Sequence, residues 1–176
     1  MIKKFLIGFF IFLLSLVGFD LAKPFRSQPI MVDKNQLADL IVVEKSKRLM
    51  TLYLNGQIIK SYYIALGTQP IGNKIKEGDG RTPEGEYTIN FKNSKSRYHL
   101  SLKISYPSKE QQNIALSNGY SAGSDIMVHG IRNGLGLFGS KHVLFDWTNG
   151  CIAVTNNEIE EIWSYVVEGT IIRIVP

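Results

Sequence analysis

The dipeptide Asn55-Gly56, placed between two apolar segments, restricts the fold of this chain more than any other feature. Asn-Gly favours the positive φ angles of a two-residue turn, and such a turn joins antiparallel strands. Segments 49–54 and 58–66 are therefore predicted to be paired strands. Other short apolar runs are also predicted to be strands, at residues 38–44, 86–91, 100–106, 125–129 and 171–175. The sequence thus predicts a mostly β fold.

Two short helices are predicted between these strands. Ser108 with Gln111 forms the pattern of a capping box, and Gly119 is a natural stop for the helix that follows. Thr155 with Glu158 repeats the capping pattern, and an apolar stripe with helical spacing comes after it. The helices interrupt the strands and do not change the predicted fold class.

The N-terminus has the pattern of an export signal. Lys3 and Lys4 precede the apolar run 5–19, which is shorter than the roughly 20 residues that span a membrane. We predict that residues 1–22 are a signal peptide or membrane anchor, which contacts the membrane during export. Residues 23–37 are predicted to be a linker and residues 38–176 a single domain. Cleavage after Ala22 stays open.

The charge and cysteine content narrow the classes of partner. The 176 residues carry a formal net charge of +5, without a long Lys/Arg cluster or a nucleic-acid-binding motif. Nucleic acid is therefore not a predicted partner, and an anionic cell-wall polymer suits the mild positive charge better. One cysteine cannot form an internal disulfide, so in an exported chain it is a candidate reactive thiol.

That cysteine, Cys151, follows Gly150, and a histidine, His129, ends the apolar run 125–129. A thiolate is the nucleophilic form of cysteine, and a neighbouring imidazole makes it available. The N–H groups of Gly150 and Cys151 are candidate donors to an oxyanion. A buried structural cysteine and a buried core histidine are the alternative interpretation of the same two residues.

His129-Gly130 followed by Thr148-Asn149-Gly150-Cys151 resembles the signature of the L,D-transpeptidase catalytic domain (YkuD) family. The segments 78–87 and 106–107 also resemble that family, and the similarity runs from about residue 41 to residue 176. The resemblance implies a β-sandwich-like catalytic fold with two short helices. The predicted export segment further leads us to expect this domain in the periplasm or on the outer face of the inner membrane.

The resemblance implies a role for each residue of the motif. Cys151 would be the nucleophile, and His129 its base and then the acid that protonates the leaving amine. The carbonyl of Gly130 would orient the imidazole. Asn149 stands where the family commonly has histidine, and Ala153 where it often has arginine.

Four side chains are predicted to contact the substrate: Thr148, Asn149, Arg132 and Trp147. Arg132 is a candidate for binding a substrate carboxylate, and Arg81 is another. The three histidines and the cysteine lack the spacing of zinc ligands, so neither a metal nor a cofactor is predicted.

The implied reaction takes place on peptidoglycan stem peptides. Cys151 would attack the carbonyl at the L-centre of a diamino acid, release D-Ala and form a thioester. An amine of a second stem, or of a lipoprotein lysine, would then accept the acyl group. Two alternatives stay open. One is an L,D-carboxypeptidase or endopeptidase that hydrolyses stems, crosslinks or attached lipoprotein, and the other is a non-catalytic wall-binding module.

Overall fold

The computed structural model describes residues 37–176, and its centre is one mixed sheet of eight strands. The predicted export segment and nearly all of the predicted linker lie outside the described residues. The strands are β1 (Leu40–Glu44), β2 (Leu49–Leu54), β3 (Gln57–Tyr63), β4 (Gly85–Ser96), β5 (His99–Ile104), β6 (Met127–His129), β7 (Ile152–Ala153) and β8 (Ile171–Val175). Their order across the sheet is β3-β2-β1-β8-β4-β5-β6-β7. The mostly β prediction is confirmed.

The predicted hairpin is present at β2 and β3. Asn55 and Gly56 have φ angles of 51° and 76°, which are the positive values that such a turn requires. The strand predicted over 58–66 ends earlier, at Tyr63, because the chain then leaves β2 and pairs elsewhere. β1 lies between β2 and β8, antiparallel to the first and parallel to the second.

β4 joins the two halves of the sheet. Its first residues, 85–88, pair with β8, and its later part pairs with β5. The strand extends to Ser96, beyond the apolar run predicted as 86–91, because its polar end pairs through the backbone alone. β6 then adds antiparallel to β5, and β7 adds parallel to β6.

The chain that leaves the outer strand β3 meets the other outer strand, β7, at Ala65 and Ala153. The N–H of Ala65 donates to the carbonyl of Ala153 at 3.0 Å, and the N–H of Ala153 donates back at 2.8 Å. The residues after β3 thus pair with β7, which already pairs with β6. The short strand β7 therefore lies between β6 on one side and the chain at Ala65 on the other.

Both predicted helices are confirmed, with their capping boxes. They are α1 (Lys109–Ser117), capped by Ser108 and Gln111, and α2 (Asn156–Tyr165), capped by Thr155 and Glu158. A third helical element was not predicted. It is the 3-10 segment Gly136–Leu144, which is broken at Gly139, where φ is 49°.

The core lies between α2 and the sheet, with α2 packed against β5. Every second side chain of a strand points into this core, and the apolar stripe of α2 faces it from the other side. The fully buried ones include Ile41, Met50, Leu52, Leu102, Ile104, Ile152, Ile159 and Ile162. Among residues 37–176, no helix has the length and apolar character needed to cross a membrane.

Candidate active site

The parallel pair of β6 and β7 brings His129 and Cys151 to one face of the sheet. His129 is in register with Ala153, and the N–H of Val154 donates to the His129 carbonyl at 3.0 Å. Cys151 precedes Ala153 by two residues. Since side chains two apart in extended chain share a face, the thiol and the imidazole lie on the same side.

The His129 imidazole is buried and held in one orientation. Its Nδ1 lies 2.7 Å from the carbonyl oxygen of Gly130, which is the partner that the family resemblance implies. The ring of Tyr98 lies 4.5 Å away between centroids, and that of Trp147 lies 5.8 Å away at an edge-on angle. Burial lowers the pKa of His129 to about 4, against the opposing hydrogen bond to Gly130. The imidazole is therefore neutral at pH 7.

The Cys151 thiol is partly exposed and lies near the chain that leads into β6. Its Sγ is 3.6 Å from the carbonyl oxygen of Asp125. Burial raises the pKa of the Cys151 thiol, while a backbone hydrogen bond from Met127 and the charge of Lys74 act in the opposite direction. At neutral pH the resting site thus holds a thiol and a neutral imidazole.

The loop before Cys151 is closed by the Thr148 hydroxyl. Thr148 Oγ1 donates to the Cys151 carbonyl at 2.7 Å and accepts the N–H of Gly150 at 3.1 Å. In this arrangement the Gly150 N–H is thus engaged inside the loop. Donation of the Gly150 and Cys151 N–H groups to an oxyanion stays a prediction, as does contact of the buried Thr148 with substrate.

Two glycines, Gly67 and Gly150, allow the backbone of residues 67–81 to approach the Cys151 loop. A Cβ on Gly150 would lie 2.5 Å from the carbonyl oxygen of Arg81, and Gly150 has a φ of 119°. A Cβ on Gly67 would lie 2.1 Å from the carbonyl oxygen of Gly80 and 2.9 Å from Gly150 Cα. Any side chain at Gly67 or Gly150 would force these backbones apart.

Comparison with known proteins gives the family of the chain. The model of the YkuD family, the L,D-transpeptidase catalytic domain, matches residues 38–174. The chain belongs to this family. It is 29% identical over 132 residues to YafK of Escherichia coli (strain K12), which is named for the same enzyme class. That match covers 72% of this chain and 46% of YafK, so the chain spans less than half of this relative's length.

Solved structures show the same fold. The helical cell shape determining protein Pgp2 from Campylobacter jejuni superposes with a TM-score of 0.56 at 22% identity, over 80% of this chain and 48% of Pgp2. Bd1075 from Bdellovibrio bacteriovorus gives a TM-score of 0.55 at 25% identity, over 80% of this chain and 51% of Bd1075.

The remaining predicted site residues of this L,D-transpeptidase domain differ in position. Trp147 lies against His129, as a wall of the site would. Asn149 is exposed next to the closed loop, and Arg132 is exposed on the segment that follows β6. The Arg81 side chain donates to the Asn73 carbonyl at 3.4 Å, while its own carbonyl packs on the Cys151 loop. No contact in the described part of the chain ties Arg132 or the Arg81 guanidinium to Cys151.

Sequence reasoning missed several residues that support the site. Asp146 accepts two hydrogen bonds from Arg48 Nε and Nη2 and a third from the Leu66 N–H, so it anchors the start of the Cys151 loop to the chain beyond β3. Tyr98 covers His129, and a buried Lys74–Asp79 pair lies in the facing loop. The turn sequence Gly-Asp-Gly is the one local signal that could have indicated a structural aspartate at Asp79. No local pattern marks the other three.

Proposed function

We propose that this domain catalyses L,D-acyl transfer on peptidoglycan stem peptides, with Cys151 as the nucleophile. Sγ attacks the carbonyl carbon at the L-centre of a diamino acid, and a C–S bond forms as the C–N bond to D-Ala breaks. The released amine takes its proton from His129. An acceptor amine then attacks the thioester, the C–S bond breaks, and the thiol is regenerated.

The hydrogen bond of His129 to Gly130 is the observation that carries this proposal. A carbonyl oxygen only accepts, so Nδ1 bears the proton in the neutral ring and Nε2 holds the lone pair. Nε2 is then the atom that receives the thiol proton. No aspartate is needed to fix the tautomer, and Asp146 is occupied by Arg48 and Leu66.

The pKa values of the pair shape the first step. The pKa of His129 is lowered by burial and that of Cys151 is raised by burial, so a standing thiolate–imidazolium pair is disfavoured. We infer that the proton passes from Sγ to Nε2 as the carbonyl is attacked, within a bound complex. Such coupling leaves little thiolate exposed to oxidants while the site is empty.

The acceptor distinguishes transfer from hydrolysis. The loop 67–84 packs against the Cys151 loop on one side, and the segment 131–146 connects β6 to that loop. These two walls are suited to form a subsite that favours an amine over water. The structural likeness to a cell shape determining protein supports a role in wall remodelling and cell shape. A lipoprotein lysine is a second amine of suitable chemistry.

The test supplies purified protein with a tetrapeptide-stem donor, with and without excess acceptor stem, and follows the products by mass spectrometry. Crosslinked dimer as the main product is expected. Tripeptide that accumulates equally with and without acceptor would instead establish an L,D-carboxypeptidase. The matched control is Cys151→Ala, which should fold and lose turnover by many orders of magnitude. If neither the wild type nor the control changes the stems while both bind wall polymer, the domain is a wall-binding module.

Export also belongs to this proposal, because the substrate lies outside the cytoplasm. The supporting observation is the pattern of Lys3 and Lys4 ahead of the apolar run 5–19. A reporter fused after Pro176 should be active on the outer side of the inner membrane. Activity confined to the cytoplasm would refute export, and N-terminal sequencing of the mature protein would show whether the segment is cleaved.

A further inference from the structure

The turn that joins β4 to β5 carries Tyr98, a half-buried aromatic residue to which the proposed reaction gives no task. Its ring lies against the imidazole of His129, with 4.5 Å between the ring centroids and 41° between the ring planes. The Trp147 ring lies 5.8 Å from the imidazole and 6.2 Å from the Tyr98 ring. Each ring is therefore within the packing distance of the other two, and the imidazole has two aromatic neighbours.

The position of Tyr98 is fixed by hydrogen bonds from the segment that follows β6. The N–H of Asn133 donates to the Arg97 carbonyl at 2.9 Å, and its Nδ2 donates to the Ser96 carbonyl at 3.2 Å. Its Oδ1 accepts the N–H of His99 at 2.9 Å. Tyr98 donates its own N–H to Ser96 Oγ at 3.0 Å. The backbone is thus held on both sides of Tyr98, so the ring lies against the base before any substrate binds.

His129 has to carry a positive charge in the proposed reaction, although it is only 3% exposed. When Nε2 takes the proton of Cys151, the S–H bond breaks and an N–H bond forms, which converts the imidazole to an imidazolium. The charge of the thiolate is consumed as Sγ bonds to the carbonyl carbon, so the imidazolium then loses this partner. Burial lowers the pKa of His129 to about 4, and the hydrogen bond to Gly130 offsets only part of that effect.

The elements around His129 supply no carboxylate for this cation. In the part of the chain that the structure describes, no ion pair includes His129. The neighbouring strands place Ser101 and Ala153 in register with it, and neither side chain is charged. His142 of the 3-10 segment opposes the charge of His129. The Glu158 carboxylate accepts hydrogen bonds within the cap of α2, and its charge acts on His142.

Aromatic faces are the groups that remain to stabilise the imidazolium. The π electrons make the face of a ring partly negative, and it attracts a cation within about 6 Å of the centroid, most strongly where water is excluded. Tyr98 at 4.5 Å and Trp147 at 5.8 Å both meet this distance, and Tyr98 is the nearer and the more nearly parallel. A neutral imidazole gains less from this attraction, so the stabilisation grows as the proton is transferred.

We propose that Tyr98 is a positioning residue for the base: the π face of its ring stabilises the imidazolium that His129 becomes when it takes the thiol proton. The ring of Trp147 adds to this effect from its greater distance. The proposal rests on one part of the proposed function, the action of His129 as the base for Cys151. It does not depend on the identity of the wall peptide or of the acceptor.

The experiment varies the electron density of the ring at position 98 while the ring keeps nearly the same shape. In the full chain, Tyr98 is replaced by phenylalanine and by phenylalanines with increasing numbers of ring fluorines, which withdraw electrons from the π face. Alkylation of Cys151 by iodoacetamide is measured at pH 7, where the reactive form is the thiolate paired with the imidazolium. Tyr98→Phe should react within roughly twofold of the wild type, and the rate should fall by roughly three- to tenfold towards pentafluorophenylalanine.

Removal of the imidazole shows whether the ring acts through His129. In His129→Gln, alkylation should be slower, and the fluorinated series should give a constant rate because no imidazolium can form. A constant rate along the series in the presence of His129 would overturn the proposal. An equal decline in the His129→Gln background would do the same, because the ring would then act on the thiol by another route.

Tyr53 provides the matched control, since it is a half-buried tyrosine on β2 without a ring contact to His129 among those that the structure describes. The same fluorinated series at this position should leave the alkylation rate unchanged. An equal decline at both positions would refute the proposal, and so would a decline at position 98 that only follows a loss of folded protein in thermal unfolding.

The outcome is separable from that of the proposed acyl transfer, because the assay contains no stem peptide. A constant rate along the series, with His129→Gln still slower than the wild type, removes the role of Tyr98 and leaves the base in place. If His129→Gln reacts as fast as the wild type, the base of the proposed function is misassigned, and the role of Tyr98 falls with it.

Discussion

Two connecting segments flank the Cys151 loop, and they are built in opposite ways. The upstream loop, residues 67–84, is held by buried polar contacts of Lys45, Lys74 and Asp79. The downstream segment, residues 131–146, presents large apolar side chains to solvent. These exposed side chains are Leu135, Leu137, Phe138, Leu144 and Phe145, with Leu137 wholly exposed at 102%.

The candidate site is therefore flanked by one firmly held segment and one loosely held segment. Buried ion pairs and hydrogen bonds specify one geometry, so the upstream loop keeps the Cys151 loop in place. The downstream segment is anchored near its ends by Asn133 and Asp146, but residues 134–145 between them make fewer such contacts. Exposed apolar side chains in a row are typical of a surface that meets another molecule. The free energy of local opening should therefore be low in the segment and high in the loop.

The largest effect of a substitution is expected on turnover, at the candidate base His129. In His129→Ala, turnover should fall by roughly 10²- to 10⁴-fold, because the general base is lost. In the wild type the base is neutral above its lowered pKa, so the acid limb of the rate profile should lie near pH 4. Asn149→Ala is the control, since an amide cannot titrate. Rates that fall equally in both variants would show that the base is misassigned.

The next largest effect is expected from a pair of glycines, one in each wall. Gly67→Ala should lower the free energy of unfolding by about 3 kcal/mol, because its Cβ would meet the Gly80 carbonyl oxygen at 2.1 Å. Gly134→Ala faces open space and has a φ of 86°, so it should cost only about 1 kcal/mol. Denaturant titration of both variants measures the difference. If both variants lost similar free energies of unfolding, the upstream loop and the downstream segment would be held equally firmly.

A smaller effect concerns the acid stability of the upstream loop. The pKa of Asp79 is about 2 in the folded protein, below its usual value of 3.8, so its carboxylate stabilises the fold above pH 3.8. This stabilisation, roughly 2 kcal/mol, should be lost as the pH falls from 3.8 towards 2. Asp79→Asn should be less stable at pH 7 and show a flatter acid limb. An unchanged acid limb, followed by circular dichroism, would contradict the assignment.

The smallest effect is expected in the downstream segment. Leu137→Ser and Phe138→Ser remove exposed apolar side chains, so the free energy of unfolding should change by less than about 0.5 kcal/mol. Hydrogen exchange by mass spectrometry should show weaker amide protection in 131–146 than in 67–84. A large loss of stability in either variant would mean that the segment is anchored more firmly than its exposure indicates.

The sequence predicted the features that depend on near neighbours. The turn at Asn55-Gly56, the capping boxes at Ser108 and Thr155, and the short strand that ends at His129 all depend on residues a few positions apart. Their physical causes are local steric preferences and side-chain to backbone hydrogen bonds, which a single segment reveals.

The features it missed join residues that are distant in the chain. The bonds from Arg48 to Asp146 and the approach of Arg81 to Gly150 depend on sheet order, which no local pattern contains. The engagement of the Gly150 N–H by Thr148 was missed for a different reason. A threonine two residues earlier is compatible with several loop conformations, and packing against residues 67–81 selects one of them.

The pairing of Ala65 with Ala153 has a consequence for how the protein matures. This contact joins chain segments far apart in sequence, so the loop-closure entropy it costs must be offset by the pairing of the strands around it. The nucleophile loop becomes ordered by that same long-range contact. A newly made or partly unfolded chain therefore carries an unorganised cysteine. Selective reactivity of the thiol should therefore appear during refolding only when the strands have paired as a sheet, and not when a single strand has formed.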